Sequence, residues 1–390
     1  MAGIRTYLRD HTLLRHLGWA LVAALALLAV TASLSPFRNY QLATMAAYLC
    51  ATVGMALLVG LTGQLSLGHG ALMATGAYTC ALMSSRLSDA EVTGPLLLIV
   101  PLLAGIVAAA AVGALVGIAG ARLHGPYLAG LTLALTISVP AVATTFVDVL
   151  GGDQGISTVV EPAPEALGAT FPLEQWQAWI CCLAALLTFV VVANLASGRF
   201  GREMRAVRDD EVAARLSGID VRRTKVLAFV VSAATAGLAG GLLAVITQAV
   251  SPGAYGLELS LFIVMAVVVG GLGSLAGAVW GAALLVVLPA LATAVTDSLD
   301  VSPELAAKLD GNLALLLFGL VLALVPILMP RGVHGAVASA IARRSPRRRS
   351  NPVPPASSPR AEAAPTTEKQ KDPPASLAED SAVHTTKSSE

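Results

Sequence analysis

The sequence predicts an all-α integral membrane protein of about ten transmembrane helices, on three observations. Charged residues make up 13% of the 390-residue chain and hydrophobic residues 56%, whereas soluble domains carry about 25% charged residues. Apolar runs recur at the roughly 20-residue length that crosses a bilayer as a helix. None alternates over ten residues as a membrane β-strand does, which leaves a helical bundle to satisfy the backbone in lipid.

Apolar runs between charged or Pro/Gly breaks place spans at 17–34, 42–61, 65–84, 95–119, 126–147, 176–196, 226–249, 258–270, 275–295 and 311–329. Residues 1–16 carry Arg5, Arg9 and Arg15 ahead of the first run. That run is long for a signal peptide and more spans follow, so it reads as an uncleaved first helix. The eighth run is short enough to be a broken or re-entrant piece. Orientation follows from charge, because Lys and Arg accumulate on the cytoplasmic side. Loop 197–225 holds eight basic residues, from Arg199 to Lys225. Segment 148–175 has five acids and no base, and 296–310 has four acids against Lys308. With both termini in the cytoplasm, the basic loop lies inside and both acidic segments lie outside. Only Arg38, Arg86 and Lys308 then face outward.

The polytopic domain therefore covers 17–330. From 331 the chain turns basic, with Arg343, Arg344 and Arg347 to Arg349, and then rich in Pro, Ala and Ser. Such a composition cannot bury a core and predicts a disordered cytoplasmic tail. Cys50, Cys80, Cys181 and Cys182 all fall in apolar runs, without a CxxC pair, and read as small buried hydrophobes rather than metal ligands.

No constellation of acid, base and nucleophile is visible. The absence of GxxxxGK[ST] excludes ATP binding by a phosphate loop. Ion-coupled carriers often place a charge within a span. Here the spans from 42 to 84 hold none, and 226–295 holds only Glu258, near an end. An ion-coupled carrier is thereby disfavoured.

Three stretches stand out. GLTGQLSLGHGALMATGAY, Gly60 to Tyr78, puts Gln64, Ser66 and His69 among glycines in an apolar run. Gly63, Gly68 and Gly70 suit a turn with close packing. The three polar groups either line a path through the membrane or hydrogen-bond between helices. In loop 197–225, Gly198 can end the sixth span and Gly218 a short helix over about 202–216. That helix pairs Arg205 with Asp209 and Glu211 with Arg215 at helical spacing, and Asp220 can cap the next span. In VGGLGSLAGAVWGAALL, Gly273, Gly277 and Gly281 recur every four residues and let a second helix approach. The turn before Gln64 and the turn at Gly270–Gly273 both face the cytoplasm on this topology, and glycine-interrupted segments in corresponding halves point to a transport pathway.

GQLSLGHGALMATGAY, RFGREMRAVRDDEVAARLSGID and VSPGAYGLELSLFIVMAVVVGGLGSLAGAVWGA resemble the permease subunits of bacterial ABC importers for branched-chain amino acids. RLHGPYLAGLTLA (Arg122–Ala134), GGDQGI (Gly151–Ile156) and MPRG (Met329–Gly332) fit the same pattern in order, so the resemblance covers roughly 40–335. It implies a multi-pass protein of the bacterial inner membrane, similar in layout to vitamin B12 importer permeases. The implied partners are a second, different permease, two cytoplasmic ATPase subunits and an extracytoplasmic binding protein, with no nucleic acid. ATP and Mg would sit on the ATPases, and this chain would bind no cofactor. Carried across, Arg205, Arg208, Asp209, Asp210, Glu211, Ala213, Ala214 and Gly218 form the loop that couples to the ATPases. Ser138-Val139-Pro140 and the long tail depart from the pattern, and relatives also move urea, short amides, other amino acids or sugars.

Overall fold

The computed structural model describes residues 12–123, 126–164, 167–168, 171–298 and 332–344, with 313, 316–317, 319–321, 324–325 and 327–329 between them. The N-terminal arginines Arg5 and Arg9, Asp300, Lys308, the MPRG arginine and the tail beyond Arg344 lie outside the described residues.

Twelve helices carry the described chain: α1 Thr12–Ser33, α2 Pro36–Thr62, α3 His69–Asp89, α4 Leu96–Gly120, α5 Pro126–Thr145, α6 Leu173–Ser197, α7 Arg199–Asp209, α8 Glu211–Leu216, α9 Val221–Thr247, α10 Leu257–Gly271, α11 Leu275–Ser298 and α12 Gly332–Arg344. A single helical turn, Val147–Leu150, follows α5. Seven segments among the described residues are long and apolar enough to cross a membrane: α2, α4, α5, α6, α9, α10 with the turn before it, and α11. The chain is a multi-pass membrane protein. Helix α1 contributes a shorter apolar stretch, Ala20–Ser33. Helix α3 falls short because His69, Thr75, Thr79, Ser84, Ser85, Arg86 and Asp89 dilute it.

The ends are set by local chemistry. Pro36 opens α2, where a missing N–H costs nothing. Gly63, at φ +69, closes it: its N–H returns to the Val59 carbonyl at 3.1 Å and the Gln64 N–H to that of Leu58 at 3.4 Å. Asp220 caps α9 by accepting from the Arg223 N–H at 2.9 Å.

Helices α2 and α9 form the centre, with 67% and 72% of their spanning windows buried, against 28% for α4 and 22% for α5. Helix α9 lies against α2, α3 and α4, while α2 also meets α6 and α11, and α10 pairs with α11. Packing at the first of these crossings depends on missing side chains. A Cβ on Gly105 of α4 would sit 2.7 Å from the Gly76 carbonyl oxygen of α3, and one on Gly237 of α9 would sit 2.8 Å from that of Gly105. Three backbones therefore touch at one level, which only small residues allow. The buried face of α4 continues this at every fourth position through Leu97, Pro101, Gly105, Ala109, Gly113 and Gly117.

Two helices begin inside the bundle rather than at its edge. His69, at the start of α3, meets α9 at Ser232, which also bonds the Gly54 carbonyl. Gly54 lies eight residues before the end of α2 at Thr62, about 12 Å along the helix. Residues 63–68 thus lead back into the bundle before α3 starts. Helix α10 has 15 residues, about 22 Å, which is short of the roughly 30 Å hydrocarbon core. At the far end, β1 (Ile156–Ser157) pairs antiparallel with β2 (Ala249–Val250), Ile156 facing Val250. The GGDQGI stretch is thereby fastened to the end of α9.

Candidate functional site

The backbone of 63–70 is held by three hydroxyl groups from two other helices, α5 and α10. The Leu67 N–H donates to Thr132 Oγ1 at 2.9 Å, and Thr136 Oγ1 donates to the Leu67 carbonyl at 2.8 Å. The Gly70 N–H donates to Ser260 Oγ at 2.9 Å. A Cβ on Gly70 would sit 2.6 Å from the Tyr255 carbonyl oxygen, and one on Gly68 3.1 Å from Thr132 Cβ. The segment is therefore seated against both α5 and the turn before α10.

Its polar side chains are buried. Gln64 Nε2 donates to Thr62 Oγ1 at 3.0 Å and to the Lys225 carbonyl at 3.4 Å. Ser66 Oγ accepts from the Gly68 N–H at 3.3 Å. The Ser232 hydroxyl donates to the Gly54 carbonyl at 2.8 Å, so its lone pair faces His69 Nε2 at 3.0 Å. This arrangement assigns the proton to Nε2 and leaves Nδ1 a bare acceptor, without a partner among the described residues. In this conformation Gln64 and His69 tie α9 to the segment and to α2. None of the three lines the cavity between α1, α2 and α6 or the groove between α2 and α11.

The 197–225 loop differs from its sequence reading. The expected single helix over 202–216 is broken at Asp210, whose extended backbone ends α7 and whose carboxylate caps α8 through the Val212 and Ala213 N–H groups. A residue that satisfies two orphan donors does better as a cap than within a helix. The expected Arg205–Asp209 pair is absent: Arg205 donates to the Ala196 carbonyl at 3.1 Å, and Asp209 pairs with Arg208 at 2.9 Å. Glu211 does lie 3.7 Å from Arg215, but it also bonds Lys225 Nζ, whose side chain is only 7% exposed. Ala214 buries itself with Val207 and Val221, joining α7, α8 and α9. Gly218, at φ +81, turns the chain toward α9. Val212 and Leu216 face outward, 65% and 86% exposed.

Arg208 points inward. Its Nη1 donates to the Gly60 carbonyl at 2.8 Å, and Gly63 and Gly273 both lie beside its side chain. A Cβ on Gly60 would sit 2.8 Å from the Gly273 nitrogen. The two glycine turns thus touch one another beneath a single arginine. Gly273, at φ +81, belongs to the turn rather than to the face of α11. Gly277 and Gly281 alone carry that face, against Gly270 and Ala266 of α10. Among the described residues no group of three His, Cys, Asp or Glu is placed to hold a metal ion.

The family model for the permease component of branched-chain amino acid transport systems matches residues 38–326. The chain belongs to this family. The high-affinity branched-chain amino acid transport system permease protein LivM of Escherichia coli strain K12 is 34% identical over 263 residues, covering 62% of this chain and 60% of that protein. LivH of the same strain is 27% identical over 301 residues, 74% of this chain and 91% of LivH. BraD of Pseudomonas aeruginosa is 26% identical over 245 residues, 61% of this chain and 79% of BraD. The chain thus spans about 60% of the length of the LivM relative. No solved structure matches it.

In this member of the permease family, sequence reasoning missed the residues that complete the site. Thr132 and Thr136, four residues apart on α5, and Ser232 and Ser260 sit in apolar helices, where scattered hydroxyls do not stand out as a motif. Lys225 looked like one more positive charge of a cytoplasmic loop. Only the fold brings it under Gln64 on one side and Glu211 on the other.

Proposed function

We propose that this chain is the translocating subunit of an ATP-driven importer for branched-chain amino acids in the bacterial inner membrane. It works beside a different sister permease, on two cytoplasmic ATPase subunits that bind ATP and Mg, and receives substrate from an extracytoplasmic binding protein. The chain itself is no enzyme. Ten spans with both termini in the cytoplasm, laid out as in vitamin B12 importer permeases, fit this reading. The observation that carries it is the family match over 38–326, joined by relatives named as branched-chain amino acid permeases of both the LivM and the LivH kind.

The geometry supplies a mechanism of alternating access. Val212 and Leu216 offer the ATPases an apolar contact. Movement of α7 and α8 would reach the membrane by two links: Arg208 to Gly60, and Glu211 through Lys225 to Gln64. The first link ends on the last turn of α2, and the second on Gln64 in the segment that leads to α3. When it shifts, Gln64, Ser66 and His69 exchange partners within the bundle for a passing zwitterion. Neutral donors and acceptors suit that exchange, since they avoid the several kcal/mol that a centrally buried charge can cost.

Substrate class is tested by uptake of labelled leucine in a strain lacking its own high-affinity system and supplied with this permease, its sister, the ATPases and the binding protein. Leucine uptake that unlabelled isoleucine and valine compete away, and urea or ribose does not, is the expected result. Uptake of urea or sugar without leucine would replace the substrate assignment.

A further inference from the structure

We infer that the groove between the outer halves of α2 and α11 is where this permease holds its substrate before translocation, as a zwitterion with an aliphatic side chain. The inference rests on the transport reading above and locates its binding step. The groove encloses about 560 Å³, within the range of pockets that bury small ligands. Its two walls differ in chemistry. Tyr40, Gln41, Thr44 and Tyr48 stand on one face of α2, while the α11 side is aliphatic from Leu285 to Ala290 apart from Thr293 beyond it, whose hydroxyl donates to the Pro289 carbonyl at 3.3 Å.

A polar stripe of this kind, facing lipid, would leave hydrogen-bonding groups unsatisfied in hydrocarbon. Thr44 solves this alone by donating to the Tyr40 carbonyl at 2.9 Å. The Gln41 amide and the Tyr48 hydroxyl have no hydrogen-bond partner among the described residues, so they call for water or a polar ligand. The aliphatic wall opposite suits a branched side chain. A second cavity of the same size makes the contrast plain. It lies between α1, α2 and α6, walled by groups such as Leu27, Met45 and Phe189, and offers almost no polar surface. That cavity fits acyl chains, whereas the α2–α11 groove fits an amphiphile. The groove is also continuous with the interior. Tyr48 packs onto the buried core that holds Tyr78 and Tyr255, and the Tyr255 carbonyl abuts Gly70 at the start of α3.

The test uses the complete complex in right-side-out vesicles, with Cys50, Cys80, Cys181 and Cys182 replaced by alanine. Thr44→Cys and Val286→Cys are introduced singly and treated from outside with a negatively charged methanethiosulfonate reagent. Both should react, and leucine presented with the binding protein at ten times its apparent Kd should slow the reaction about tenfold, as 1 + [L]/Kd requires. Ribose should leave the rates unchanged. No reaction at either site would mean that lipid or protein fills the groove, and reaction indifferent to leucine would mean that substrate does not visit it. Either result overturns the inference. Leucine uptake by the cysteine-free parent, measured in the same vesicles, separates the two readings. Its absence strikes the transport assignment, while uptake without labelling or without protection strikes the groove alone.

Discussion

Arg208 donates into the membrane domain although its neighbours in sequence are charged and its own partner Asp209 is exposed. It fills the end of α2, where the Gly60 carbonyl needs a donor from outside its helix, and it spans two touching turns. A hydrogen bond to a charged group contributes about 1.5–3 kcal/mol, and partial exposure of Arg208 argues for the lower end. Arg208→Ala should therefore leave insertion intact and lower leucine uptake per ATP hydrolysed about tenfold; unchanged coupling would remove Arg208 from the relay. Lys225 raises a different matter, since its ammonium is buried and held by Glu211. Glu211→Gln should cost about 3–5 kcal/mol by leaving that charge unpaired, seen as a loss of folded complex in detergent. Glu211→Leu combined with Lys225→Met should restore the yield, because replacing both partners by apolar groups is close to neutral. A double variant as unstable as the single one would mean that the pair contributes more than charge compensation. At this scale the sequence was only partly legible. Charge at i,i+4 spacing identified Glu211–Arg215, but it also suggested Arg205–Asp209. Spacing counts neighbours on a helix and does not register that α7 folds back on the end of α6, where the Ala196 carbonyl takes Arg205.

Elements in this protein are joined by what glycine omits. The periodicity of Gly277 and Gly281 could be read directly, and both meet α10. The closer crossing of Gly76, Gly105 and Gly237 could not be read, because its three members lie on three helices and no pattern in one chain segment links them. Gly237→Val should push α9 from α4 and α3, costing about 1–3 kcal/mol or more from overpacking, measured as a lower melting temperature of the purified permease. Gly130→Ala, with open space at its Cβ, is the control and should melt like the parent. Equal melting of both variants would contradict the crossing. The start of α3 shows the same limit. Apolar content placed a span from 65, whereas the helix begins at His69, because Thr132 and Thr136 satisfy the non-helical backbone at Leu67 before it. The short eighth run was legible as such, and it is the 15-residue α10.

Across the whole molecule, charge segregation and apolar length sufficed for fold class, and the quoted motifs for the family. Orientation can be checked with single cysteines in the cysteine-free background: Asp153→Cys should react with an impermeant maleimide from outside, and Val212→Cys only after the membrane is opened. The reverse pattern would invert the topology and detach α7 and α8 from any cytoplasmic partner. The source of energy is the more searching question, because the spans offer so little for an ion to bind. Lys225 and Glu211 pair with each other where α8 meets α9, and His69 is buried against Ser232. The decisive measurement is leucine accumulation in proteoliposomes holding this permease, its sister and the two ATPases, with the binding protein outside. ATP and Mg trapped inside should drive accumulation in the absence of any ion gradient, and a catalytically dead ATPase should abolish it. Accumulation driven by a proton or sodium gradient with no ATP present would contradict the account.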